Sequence, residues 1–244
     1  MGMAIFDNHP ELASRLGDKA LIRMMRGDHG VLPDLMLTDP GVFQEHPLKR
    51  LSDLAHELVY STAPFIATSR ATDWTYTCDV PNKISITGYN GAGGNIVIPE
   101  SVEGYRVTEI GEAAFMSRSD LTGVKLAQGI VLIGKEAFSG CTSLRRVKIP
   151  DSVSVIGESA FYGCQALASI NIPFGVTDIG KNAFTFAGLT HVAIPSSVTM
   201  VGNDAFHLCI WLRRAVLPRR FADQLEEIGL GSERVKITIT DLRD

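Results

Sequence analysis

Ile133-Gly134-Lys135-Glu136-Ala137-Phe138-Ser139-Gly140-Cys141-Thr142-Ser143-Leu144-Arg145-Arg146-Val147-Lys148-Ile149-Pro150 decides the fold, because its pattern returns on both sides of it. The opening motif, Ile-Gly-x-x-Ala-Phe, recurs as Ile110 to Phe115, Ile156 to Phe161 and Ile179 to Phe184 at steps of 23 residues. A fifth copy, Val201 to Phe206, follows after 22. The closing motif, Leu-x-x-Val-x-Ile-Pro, runs in phase with it. Its other copies are Leu167 to Pro173, Leu189 to Pro195 and Leu212 to Pro218, with Leu121-Thr122-Gly123-Val124-Lys125-Leu126 as a weaker first copy without the proline. Five in-phase copies of two linked patterns define an internal repeat.

The chemistry of one unit predicts how the copies assemble. Val and Ile of the closing motif alternate, so both face one side and the residue between them faces the other. Such a strand is unstable alone but forms a parallel ladder when stacked about 4.8 Å from the next copy. Proline ends the pairing because it has no N–H to donate. The glycine after Ile suits a corner that needs unusual backbone angles. Ala-Phe fills the interior, so the copies stack into a column of Phe115, Phe138, Phe161, Phe184 and Phe206. Copy four lacks one residue around Ala187-Gly188, which predicts a tighter turn. Sixteen of the 23 glycines lie in 76–218, five at the corner.

A 23-residue unit of this form resembles the bacterial BspA-like leucine-rich repeat family over about residues 76–218. Ile84 to Gly91, Ile96-Val97-Ile98-Pro99 and Gly104 to Ile110 are similar to the segment that leads into that family's arrays. The resemblance implies a curved solenoid with a parallel sheet on its concave face, and binding of other macromolecules rather than catalysis. The fold class that follows is α+β: a short leucine-rich-repeat solenoid preceded by an α-helical N-terminal region. Residues 76–109 are its N-terminal cap, 110–218 its five repeats and 219–244 its C-terminal cap.

Residues 1–75 match nothing in the repeat. Pro10 to Arg26 carries Leu12, Leu16, Ala20 and Met24 at helical spacing, and Pro47 to Tyr60 carries Leu48, Leu51, Leu54, Ala55 and Leu58 on one face. Both read as helices, with Ser61 to Asp73 as the linker. This block either caps the first repeat or docks to another protein. At the other end a short helix is expected over Phe221 to Ile228, then a strand from Val235 to Thr240 that closes the array.

Composition excludes several classes. The 244 residues are 45% hydrophobic and 20% charged, ordinary for a globular chain. A net charge of −4 offers no basic field to nucleic acid or anionic lipid. No apolar run reaches the length of a membrane-spanning helix. Residues 1–75 hold seven basic and ten acidic residues, whereas 76–218 are balanced at eleven of each. The N-terminus lacks a basic segment followed by an apolar run, so the chain as given reads as cytoplasmic; removal of a signal would place it at the cell surface or outside.

No motif carries catalysis, and no cofactor is expected. Cys141, Cys164 and Cys209 share one repeat position, filled by Arg118 and Ala187 in the other copies, and read as a buried, reduced ladder. His9, His29, His46 and His56 lack metal-ligand spacing and read as surface or capping residues. Gly88 to Gly94 lacks the Lys-Ser/Thr of a phosphate loop and reads as a turn between cap strands. The informative positions are those facing outward on the strands. Lys125, Arg145, Arg146 and Lys148 form one basic cluster, Arg213 and Arg214 another, and Asn171 and His191 lie in the neutral stretch between. On an unbroken ladder the clusters stand three spacings, or about 14 Å, apart. Arginine suits carboxylate recognition. The expected function is a non-catalytic protein–protein interaction module that grips an acidic segment of its partner on the concave face. The alternatives are a structural, self-associating subunit of a larger assembly, or a surface, matrix or carbohydrate-binding adhesin.

Overall fold

The chain divides into two units, Met1–Thr62 and Ala63–Asp244. The computed structural model describes residues 71–240, all within the second unit. The helices expected at Pro10 to Arg26 and Pro47 to Tyr60, and the four early histidines, lie outside the described residues. The expected linker Ser61 to Asp73 ends in a 3-10 turn, Ala71–Asp73, and a strand begins at Trp74, just inside the region assigned to the N-terminal block. The described residues contain no α-helix, so this part of the chain is a β-solenoid rather than α+β.

Two rows of parallel strands build it. The first opens with the antiparallel hairpin β1 (Trp74–Val80) and β2 (Lys83–Tyr89). It continues through β5 (Tyr105–Ile110), β7 (Leu132–Ile133), β9 (Val155–Ile156), β10 (Asp178–Ile179) and β12 (Met200–Val201), all parallel, with one register shift, between Ile84 and Ser85 where β2 pairs β5. The short β4 (Ser101–Val102) folds back on β5 through Glu103 and Gly104, both at positive φ. Such a pair is what a tight two-residue hairpin turn requires. Ile110, Ile133, Ile156, Ile179 and Val201 stack along this row and are buried.

The second row is the closing-motif ladder. It consists of β3 (Gly94–Val97), β6 (Leu121–Lys125) and β8 (Arg146–Lys148), then β11 (His191–Ala193), β13 (Arg214–Pro218) and β14 (Lys236–Thr240). Copy three contributes no strand, so the expected continuous ladder is two three-stranded sheets. Small and amide residues, Ala168, Ser169 and Asn171, occupy the outward positions of this copy, and such residues are poor strand formers. The expected strand at Val235 to Thr240 is present as β14. The helix expected at Phe221 to Ile228 is not: Arg219–Phe221 is a 3-10 turn and turns follow it.

The phenylalanine column forms as expected. Successive ring centroids lie 4.9, 5.4, 5.4 and 5.4 Å apart, with planes within 9° of parallel. Trp74 and Tyr89 close one end, each about 6.3–6.4 Å from Phe115. The corner glycines have another reason than the expected one. Gly111, Gly134, Gly157, Gly180 and Gly202 do not adopt positive φ; a Cβ on any of them would strike the coil before it, for example 2.6 Å from the Ile110 carbonyl oxygen at Gly134. The left-handed positions fall two residues after each glycine, at Ala113, Glu136, Ser159, Asn182 and Asp204. A second set lies two residues after each phenylalanine, at Ser117, Gly140, Gly163, Phe186 and Leu208. Gly188 packs so closely on the Gln165 carbonyl of the preceding coil that no side chain would fit.

The cysteine ladder is buried and its thiols are free. Each thiol donates to the phenylalanine carbonyl of the preceding copy: Cys141 to Phe115 (3.1 Å), Cys164 to Phe138 (3.2 Å) and Cys209 to Phe184 (3.1 Å). Arg118 takes this slot in copy one because the cap loop lies beside it. Its guanidinium donates to the Tyr89 carbonyl, to Gly91 O (3.0 Å) and to the Asp120 carboxylate (2.8 Å), and it lies 5.3 Å from the Tyr89 ring centre. That hydrogen bond holds the Asp120 carboxyl below its usual range. The glycine-rich stretch 88–94 is thus a clamped turn between β2 and β3, as expected.

Candidate binding face

The outward positions of the second strand row divide by sheet. On β6 and β8, Lys125 and Lys148 are register partners. Like charges side by side on a ladder repel, and neither lysine side chain has an ion pair or hydrogen bond among the described residues. Arg145 is exposed, and its guanidinium likewise has none among the described residues. Arg146 is held differently. Its register partner is Gly123, and beyond Gly123 lies Asn95. With no side chain between them, Arg146 donates to Asn95 Oδ1 at 3.0 Å, and the Thr122 hydroxyl donates to the same oxygen at 3.3 Å. The four basic residues named from sequence on copies one and two therefore do assemble, with Arg146 fixed and the other three free to reach outward.

The second cluster sits on the other sheet. Arg213 is folded back on its own loop, donating to the carbonyls of Ile210 (3.1 Å) and Leu212 (3.3 Å). His191, Arg214 and Lys236 are register partners across β11, β13 and β14. Lys236 was missed by the sequence reading, because the last strand carries no repeat motif and its register shows only on stacking. Asn171 is half-buried in copy three, which forms no strand between the two sheets. Two other outward positions, Ser169 and Val216, are buried.

A second surface was also missed. Tyr162, Phe186, Leu208, Ile210 and Trp211 are exposed by 37, 43, 43, 60 and 57% along the turns that follow the phenylalanines. The Gly163 amide bonds the Thr185 carbonyl and the Phe186 amide bonds the His207 carbonyl, so these turns form one ridge. The Tyr162 and Phe186 rings meet edge to face at 5.6 Å. The signal was readable: Ile210-Trp211 stands where copy two has Thr142-Ser143 and copy three has Gln165-Ala166. A groove of about 450 Å³ lies between Leu208–Leu212 and Glu226–Val235. Among the described residues no group of three or more His, Cys, Asp or Glu could hold a metal ion, and no helix is long and apolar enough to cross a membrane.

Comparison with known proteins agrees with this architecture. The chain is similar to a leucine-rich repeat protein of T. pallidum at 33% identity and a TM-score of 0.58, covering 61% of this chain and 71% of that one. A leucine-rich repeat protein of Bacteroides ovatus is 25% identical at a TM-score of 0.53; the match covers 60% of this chain and 48% of that one, so the chain spans about half its length. No curated protein matches the sequence. The profile of the BspA type leucine rich repeat region matches residues 95–228 in six copies, starting within β3, where the cap already pairs in parallel with β6. With the repeat, its ladders and more than half of its length accounted for, the chain belongs to the BspA type leucine-rich repeat family.

Proposed function

We propose that this protein is a non-catalytic protein-interaction module whose β3–β6–β8 face binds an acidic segment of a partner. The observation that carries the reading is the register pair Lys125 and Lys148, with Arg145 beside them and no acidic counterpart among the described residues. Adjacent like charges on a sheet cost stability, and a carboxylate-bearing segment laid across the strands offsets that cost. Arg146, held by Asn95, keeps a further positive charge in a set position on the same face. A parallel ladder repeated along the array supplies the extended surface that repeat proteins use for binding. His191, Arg214 and Lys236 form a second basic row, which we assign to the distal part of the same partner.

The test is a fluorescence-anisotropy titration of a labelled hexaglutamate peptide into the full chain and into the K125S/R145S/K148S variant. The reading expects binding by the parent that weakens as salt rises, and at least a tenfold loss, about 1.4 kcal/mol, in the variant. Equal binding by parent and variant rejects it.

A further inference from the structure

We propose that the turn ridge of copies three to five is a homodimer interface, in which Trp211 of each chain enters the groove beside Leu208 and Leu212 of a second copy. The repeat supplies its own control. Stacking in the last loop uses Cys209 and Leu212, which are buried, whereas Ile210 and Trp211 are exposed at places where copies two and three hold small or polar residues. Phe186 and Leu208 make the same point through the backbone. They sit at φ 60° and 54°, where copies two and three use Gly140 and Gly163. The left-handed conformation is costly for a bulky side chain, and glycine avoids the cost. Four positions thus hold large apolar side chains that the fold itself does not need.

The size of the patch fits a second copy. The five exposed side chains present roughly 500 Å² of apolar surface. A standard interface covers about 800 Å² per partner, and homodimer interfaces are about 65% apolar, which asks for nearly the same area. The shape fits as well. Trp211 projects beside a groove of about 450 Å³ whose apolar lining includes Leu208, Ile210, Leu212 and Val235. A knob and a hole on one surface are what a two-fold interface needs, since each copy supplies both. Asp204 and Glu226 share the groove with Arg234, so two copies can meet there without bringing only like charges together.

Sedimentation velocity on the full chain from about 1 to 100 µM, beside the I210T/W211S variant that restores the residue types of copy two, tests this. The expected result is a dimer whose Kd rises at least ~30-fold in the variant, with far-UV circular dichroism unchanged. Trp74 is buried, so a blue shift of tryptophan emission with rising concentration reports Trp211 entering the interface. Leu208→Gly is the second variant and weakens the dimer in the same direction. A parent that stays monomeric throughout overturns the proposal, as does a dimer that both variants leave intact or an emission spectrum that does not move on association. A different apolar partner in the groove would leave the isolated chain monomeric and overturn it too.

Discussion

At Gly180 a Cβ would lie 2.5 Å from the Glu158 amide nitrogen and 2.6 Å from the Gly157 carbonyl carbon, both backbone atoms that cannot turn aside. Gly180→Ala therefore forces two coils apart, and we expect a loss of about 1–3 kcal/mol, read as a lower urea midpoint. The repeat motif marked this glycine from sequence, but for its backbone angle; the true constraint is distance to the preceding coil, which only stacking reveals. The cysteines were legible in full, because a small, weakly polar residue at one repeat position has few other uses. Burial raises the Cys141 and Cys209 thiols to about 12 and also pushes Cys164 up. Their folded values lie above the ordinary value of 9.0, so the stability they contribute is complete below about pH 9 and is lost as pH rises toward 12. At pH 8 a thiol reagent should label only the exposed Cys78 in the native chain, and all four cysteines in denaturant. Rapid native labelling of more than one thiol would contradict the buried ladder.

Each coil holds the next through elements that recur: the x-Ile-Gly strand, the phenylalanine turn and the closing strand. Phe161 stands mid-column, 5.4 Å from both neighbouring rings and fully buried. Phe161→Ala should cost about 3–5 kcal/mol, because a cavity between two rigid coils cannot collapse. A thermal melt showing little change would mean that the column is not what joins the repeats. The closing strand was legible from its alternation and terminal proline. The x-Ile-Gly row was not: two paired residues per copy are too short to show a period, and they become a sheet only when Leu132 meets Val155 and Val155 meets Asp178 in the next coils. The same limit applied in reverse to Phe221 to Ile228, where helical spacing over one short stretch yielded to turns that bond to Asp204 and Phe206 of the last repeat.

Over the described molecule, one array presents two unlike surfaces: a basic face on the first strands of the closing-motif row, and an apolar turn ridge on its later copies. The basic cluster of Lys125, Arg145, Arg146 and Lys148 was legible because the repeat indicates which strand positions point outward. Its separation from Arg213 and Arg214 into two sheets was not, since that depends on copy three forming no strand. The central claim is that position, rather than net charge, makes the first face a binding site. The most direct measurement compares hexaglutamate affinity in K125S/R145S/K148S with that in K83S/R106S/K181S, which removes three exposed charges elsewhere and leaves the same net charge. The account predicts at least a tenfold loss for the first variant and less than a twofold change for the second, about 1.4 against 0.4 kcal/mol. Equal losses in both would contradict it.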